Sequence, residues 1–313
     1  MPEILKTTPR KAPAAALMLL LTLATAVLVA GASARNAAAQ EAGRAVGLER
    51  AHAHNDYEHD RPLYDALESG FKSVEADVWL IDGELVVSHD DPRIPTTAEP
   101  KGTLEELYLK PLRERVRENG GNVYRGDRDY FTLLIDIKSG AEPTYRALHR
   151  ELKKHRRVLT AVKRGDVQDG AVTAIVSGNR PREIMEAQRT RYAAYDGRIP
   201  DDLGRGPQAF VPLVSQNWTR LFAWRGVGPM PEGEREKLRE IVTTAHANGQ
   251  RVRFWATPEL PDEAREAVWR ELGAAEVDYI NTDNLGALET FLLANDPRPT
   301  APHVYWDGGR SGR

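Results

Sequence analysis

Along most of this chain the apolar positions switch between two spacings, the alternation of a half-buried strand and the wider interval of an amphipathic helix. The first spacing predicts strands over 50–54, 71–80, 84–89, 132–138, 158–162, 171–177, 191–195, 209–215, 252–255 and 278–281. The second predicts helices over 62–68, 103–119, 142–155, 181–188, 232–248, 261–274 and 286–294. The punctuation agrees. Pro62 opens the first helix and Gly70 follows its end, the usual asymmetry of helix termini. Asp82-Gly83 reads as a hairpin turn. Pro111 should kink or split the 103–119 helix, because it has no N–H to give to the preceding turn.

Strand followed by helix, repeated, implies a parallel sheet covered by helices. The polar residues of these strands sit at their C-terminal ends: His54, Glu75 with Asp77, His89, Asp136 with Lys138, Trp255, and Asp283 just past the last strand. In a (β/α)8 barrel that end is where sites are built. The predicted fold class is therefore α/β, a (β/α)8 TIM barrel. An open doubly wound sheet fits less well, and no glycine-rich dinucleotide fingerprint is present.

The first 34 residues follow a different pattern. Lys6, Arg10 and Lys11 precede an apolar run over 14–30, and Ala32-Ser-Ala34 and Ala37-Ala-Ala39 both suit a signal peptidase. The expected organisation is a Sec-type signal peptide over 1–34 (cleavage after 39 being the alternative), a linker over 35–47, a barrel over 48–296 and a tail over 297–313. An uncleaved N-terminal anchor is the competing reading, since the run nears membrane-spanning length. The 313 residues contain no cysteine, which excludes disulfides, thiolate metal sites and a cysteine nucleophile. A net charge of −3 gives no electrostatic reason to expect nucleic acid as a partner.

The chemistry concentrates in three stretches: Ala51-His-Ala-His-Asn-Asp-Tyr57, Ser73-Val-Glu-Ala-Asp-Val-Trp79 and Val86-Val-Ser-His-Asp90. Residues two apart on a strand share a face, so Glu75 and Asp77 point together. Two adjacent carboxylates repel unless a cation or a shared proton lies between them. A hard divalent ion with oxygen ligands is the simplest resolution, and carboxylate and amide oxygens suit Ca²⁺ or Mg²⁺ alike. Histidines beside such a centre can move protons near neutral pH. His52 and His54 share a face, so the pattern alone does not separate them. A salt-bridge network is the plainer reading of the acids. Trp218, Arg253 and Trp255 read as wall and core, and Asp283 as a cap for the last helix as much as a substrate contact.

These stretches, with Arg253-Phe-Trp-Ala-Thr-Pro-Glu259 and Asn281-Thr-Asp-Asn-Leu285, resemble the phospholipase-C-like phosphodiesterase superfamily. Within it they resemble the altered-inheritance-of-mitochondria family in particular. The likeness runs from about residue 48 to 293. It implies a phosphoric diester hydrolase acting on a glycerophosphodiester or phospholipid headgroup, with transient contact to a membrane surface. By that resemblance His54 and His89 are the catalytic histidines, and Glu75, Asp77 and Asp136 hold the metal. Asn55 resembles the Asn ligand of calcium-dependent phospholipases C, and Lys138 a phosphate-contacting lysine. Two positions depart from the glycerophosphodiesterase pattern. His54-Asn55-Asp56 stands where His-Arg-Gly is usual, and Asp136 replaces a longer Glu. A non-catalytic barrel that binds phosphate esters or headgroups is the alternative from a different class.

Overall fold

The computed structural model describes residues 47–95, 99–127 and 129–296. The expected signal peptide and tail, and all of the linker but Gly47, lie outside the described residues. Eight parallel strands form the body: β1 (Leu48–Ala53), β2 (Phe71–Ile81), β4 (Phe131–Ile137), β7 (Val172–Gly178), β9 (Ala194–Arg198), β10 (Leu213–Asn217), β11 (Arg251–Trp255) and β12 (Tyr279–Thr282). Neighbours pair in the order β1-β12-β11-β10-β9-β7-β4-β2, and β2 pairs back onto β1. The sheet therefore closes. This is the (β/α)8 barrel expected from the alternation of strands and helices.

Closure gives the apolar residues two places to go. The large core lies between sheet and helices and includes Val74, Ala76 and Val78 from the outward face of β2. Inside the barrel, Leu134, Ile175, Ala194, Leu213 and Tyr279 make a separate small apolar cluster. Beyond that plug, towards the strand ends, the inward positions become polar: Glu75, Asp77, Ser177, Asp196, Ser215, Arg253 and Asn281 are all buried. Strand alternation therefore places the acids inside the barrel mouth and leaves the opposite face to the helices.

Several elements differ from expectation for local reasons. Leu63 adopts φ 66°, so the helix expected from Pro62 begins only at Tyr64 (α1, Tyr64–Glu68). Pro111 does split its helix. A π-helical turn, Glu105–Leu109, precedes α2 (Lys110–Glu118), widening the backbone where an α-helix would press the proline ring against the preceding carbonyl. The strand expected over 158–162 becomes β5 (Ala161–Lys163), which turns through Arg164-Gly165, both at positive φ, into β6 (Asp166–Gln168). The 191–195 strand divides: β8 (Thr190–Arg191) joins β5 and β6 in a side sheet, and β9 joins the barrel. Pro212 delays the start of β10 to Leu213. Among the described residues no helix is long and apolar enough to cross a membrane.

Candidate active site

β2 carries Glu75 and Asp77 inward, and the register sets Asp77 beside Asp136 of β4. Glu75, Asp77 and Asp136 each present an oxygen within 4.8 Å of the other two. Glu75 is 5% exposed and Asp77 fully buried. Their direct counter-charges are Arg253, whose guanidinium bonds Glu75, and Lys138, whose Nζ lies 3.0 Å from Asp77 and 3.2 Å from Asp136. Burial, then the charge of Glu75, pushes the Asp77 carboxyl up to about 6. Burial and Glu75 likewise raise Asp136. Burial also opposes ionisation of Glu75, but Arg253 and then His52 outweigh it and hold Glu75 below the ordinary range.

The residues fit a cation on two further counts. Asp77 Oδ1 is buried and has no hydrogen-bond partner among the described residues, a costly state for a carboxylate oxygen. Gly178 flanks the opening with φ 67°, and a Cβ there would stand 2.2 Å from Asp136 Oδ1. Any side chain at this position would displace the Asp136 carboxylate. Asn55, expected as a fourth ligand, is brought to the edge of the same group. Its Oδ1 lies 3.1 Å from the Tyr57 hydroxyl, which donates to Asp77 Oδ2 at 2.7 Å. Asn55 sits at φ 45°, a left-handed conformation that Asn tolerates better than most residues.

The structure separates the two histidines of the first stretch. His52 is fully buried, with Nδ1 2.7 Å from Ser73 Oγ and Nε2 3.4 Å from Glu75 Oε2. Burial, then Arg253, pushes it down to about 3, so it stays neutral and acts as packing beneath the acids. His54 lies one step further out, beyond the end of β1. Its Nδ1 lies 2.7 Å from Asp283 Oδ1. A carboxylate only accepts, so Nδ1 carries the proton and Nε2 keeps a free lone pair. Burial works most strongly against a charge on His54, but the Asp283 hydrogen bond and the negative charges of Glu75 and Asp283 together outweigh it and raise the imidazole. His89 lies past β3 (Glu84–Val87), 56% exposed in its side chain, with Nδ1 3.2 Å from Asp77 Oδ2 and 3.3 Å from the Tyr57 hydroxyl. Each histidine thus has one nitrogen held by an acid at the barrel mouth.

Asp283 does not cap the last helix. Asn284 does, accepting from the Ala287 N–H. Arg253 and Trp218 are buried wall as expected, although Arg253 is also the counter-charge of Glu75. Residues that the pattern did not single out are Tyr57, which links Asn55 to Asp77, and Arg198. Arg198 bonds Asp196 at 2.5 Å and stacks over Trp255 at 5.0 Å. The spacing of Asp196 and Arg198, two apart on β9, was the available signal.

A family model described as an AIM6-like phosphodiesterase domain matches residues 40–196, and one described as the glycerophosphoryl diester phosphodiesterase family matches residues 251–286. An altered inheritance of mitochondria protein 6 homolog from Arthroderma benhamiae is 28% identical, over 77% of this chain and 83% of its own. The altered inheritance of mitochondria protein 6 of Eremothecium gossypii is 30% identical, over 78% of this chain and 69% of its own. Among solved structures, a phosphatidylinositol-specific phospholipase C from Listeria monocytogenes matches with a TM-score of 0.46 at 10% identity, over 80% of this chain and 94% of that one.

Proposed function

Because the chain belongs to the family of AIM6-like phosphodiesterase domains, we propose that it is a metal-assisted phosphoric diester hydrolase acting on glycerophosphodiesters or phospholipid headgroups. The observation that carries this reading is the set of three carboxylates within 4.8 Å of one another, one with a buried oxygen that has no partner among the described residues, flanked by two acid-held histidines. A divalent cation held by Glu75, Asp77 and Asp136, with Asn55 beside them, would supply Lewis-acid neutralisation of charge on the phosphate. Ca²⁺ and Mg²⁺ both suit these oxygens.

The side chains account for the rest of the reaction. His54 Nε2 takes the proton of the attacking hydroxyl, from water or from the substrate itself, while Asp283 keeps the ring oriented and stabilises the imidazolium. The new O–P bond forms as the bond to the leaving oxygen breaks, and His89 gives that oxygen a proton. Each such transfer contributes typically ~10²–10⁴-fold. Lys138 offers the phosphate a positive charge at the rim.

Turnover of bis(p-nitrophenyl) phosphate and of glycerophosphocholine, before and after exhaustive chelation, tests the reading. Activity that vanishes with EDTA and returns with Ca²⁺ or Mg²⁺ supports it. Full activity in excess EDTA removes the metal from the mechanism. Binding of these esters without turnover points instead to a headgroup-binding barrel. The N-terminal pattern adds an exported location. N-terminal sequencing of protein from the medium or envelope should begin at Arg35 or Gln40, whereas an intact Met1 on membranes would indicate an anchored form.

A further inference from the structure

In the outer helical layer, the π-helical turn Glu105–Leu109 meets the end of α3 (Ala141–Lys154). Glu105, Glu151 and His155 each present a potential ligand atom there, all within 4.8 Å of one another. The two glutamates also line a cavity of about 350 Å³. His155 is 1% exposed, yet neither ring nitrogen has a hydrogen-bond partner among the described residues. Buried polar atoms ordinarily find one.

The placement of the oxygens is specific. Glu151 Oε2 bonds Lys154 at 2.7 Å, while its Oε1 is buried without a hydrogen bond. Lys154 also lies 3.9 Å from Glu105 Oε2. The remaining oxygens, Glu105 Oε1 and Glu151 Oε1, stand 3.7 and 3.8 Å from His155 Nε2. These gaps are too long for hydrogen bonds. They approach the spacing of about 3.3–3.5 Å between ligands that share one tetrahedral ion through bonds of ~2.0–2.2 Å.

From this geometry we infer that Glu105, Glu151 and His155 form a second metal site, selective for a transition-metal dication of the Zn²⁺ type. One imidazole and two carboxylates favour such an ion over the hard cations that suit the all-oxygen set at the barrel mouth. The cavity leaves room for water as a fourth ligand. An ion here ties the turn that follows the His89 loop to α3. The site is independent of the proposed catalytic one.

The test uses the full chain, stripped of metal, with Asp77→Asn to disable the mouth site. Zn²⁺ titration by calorimetry should find one equivalent per chain. At a hundredfold excess over Kd the melting temperature should rise roughly 5–10 °C. Glu105→Gln, at a side chain 43% exposed and so safe for folding, should weaken binding at least tenfold and remove most of that rise. His155→Ala, where it folds, should do the same. Equal Zn²⁺ binding and equal thermal shifts with and without Glu105→Gln would overturn the site, as would no Zn²⁺ binding to the Asp77→Asn protein.

Discussion

A histidine serves as a proton carrier when one ring nitrogen is held and the other left free to exchange. His54 and His89 meet that condition through Asp283 and Asp77, whereas His52 is fully buried and held at both nitrogens. His54→Ala and His89→Ala should each lower the rate at least ~100-fold while leaving the thermal transition in place. An inactive His52→Ala beside a near-normal His54→Ala would reverse the assignment. Asn55 calls for a different substitution. At φ 45° an arginine would add strain as well as charge, so Asn55→Gly is the cleaner probe. It should weaken metal binding without loss of stability, and unchanged affinity in a metal titration would remove Asn55 from the site. Gly178→Ala should act from outside the ligand set, because its Cβ would displace Asp136. That Glu75 and Asp77 point together was legible in the sequence because two-residue alternation fixes which side chains share a face, whereas His54 and His89 came as candidates from the family resemblance. Tyr57 and Arg198 were not legible, and the pattern around Asp283 suits a helix cap as well as a substrate contact. The roles of Tyr57 and Asp283 depend on which loop ends a closed barrel brings together, which no local spacing encodes, while Arg198 had only its spacing from Asp196 on β9 as a signal.

At the level of elements, the loop after β1 is held by one buried side chain. Asp56 Oδ2 accepts from the Leu63 N–H at 2.6 Å and from the Tyr108 hydroxyl at 2.8 Å, joining the loop to the π-helical turn. Asp56→Ala leaves both donors buried and unpaired, at a cost of about 2–4 kcal/mol, measurable by urea denaturation. Asp56→Asn keeps an acceptor and should cost less. The loop after β11 carries a pH response. Burial first, and Asp283 second, push the Glu259 carboxyl up to about 7. A raised carboxylate makes folding favour its protonated form. The native state should therefore gain stability as pH falls from about 7 towards the ordinary value near 4.5. Glu259→Gln should melt a few degrees above the parent at pH 8, and that gap should close by pH 5. A gap of constant size would show that Glu259 ionises normally. The barrel strands were largely legible because each is a buried run bounded by turns. The side sheet was not, since β5, β6 and β8 are two or three residues long and too short for any periodicity to register.

For the molecule as a whole, closure of the sheet separates stability from chemistry. Pairing of β1 with both β12 and β2 leaves the eight parallel strands without an edge, so the polar mouth stands on a wall whose backbone groups are already satisfied. The inner cluster of Leu134, Ile175, Ala194, Leu213 and Tyr279 then works as a plug. It fills the barrel, while the acids and histidines occupy the next positions outward and the loops beyond them. Ile175 is 1% exposed and lies on the same face of β7 as Ser177, one step below the site. Ile175→Ala removes buried volume that the closed wall cannot collapse to fill, at a cost of about 2–5 kcal/mol. For a domain of this size that corresponds to a fall in melting temperature of roughly 5–15 °C. The mouth, built on neighbouring strands and on loops from β1, β3 and β12, should keep its geometry. The expected outcome is a much less stable protein whose kcat for the proposed reaction, measured well below its transition, stays within about threefold of the parent. Parallel loss of kcat and stability would mean that the plug also sets the position of the acids, and that floor and site are one cooperative unit.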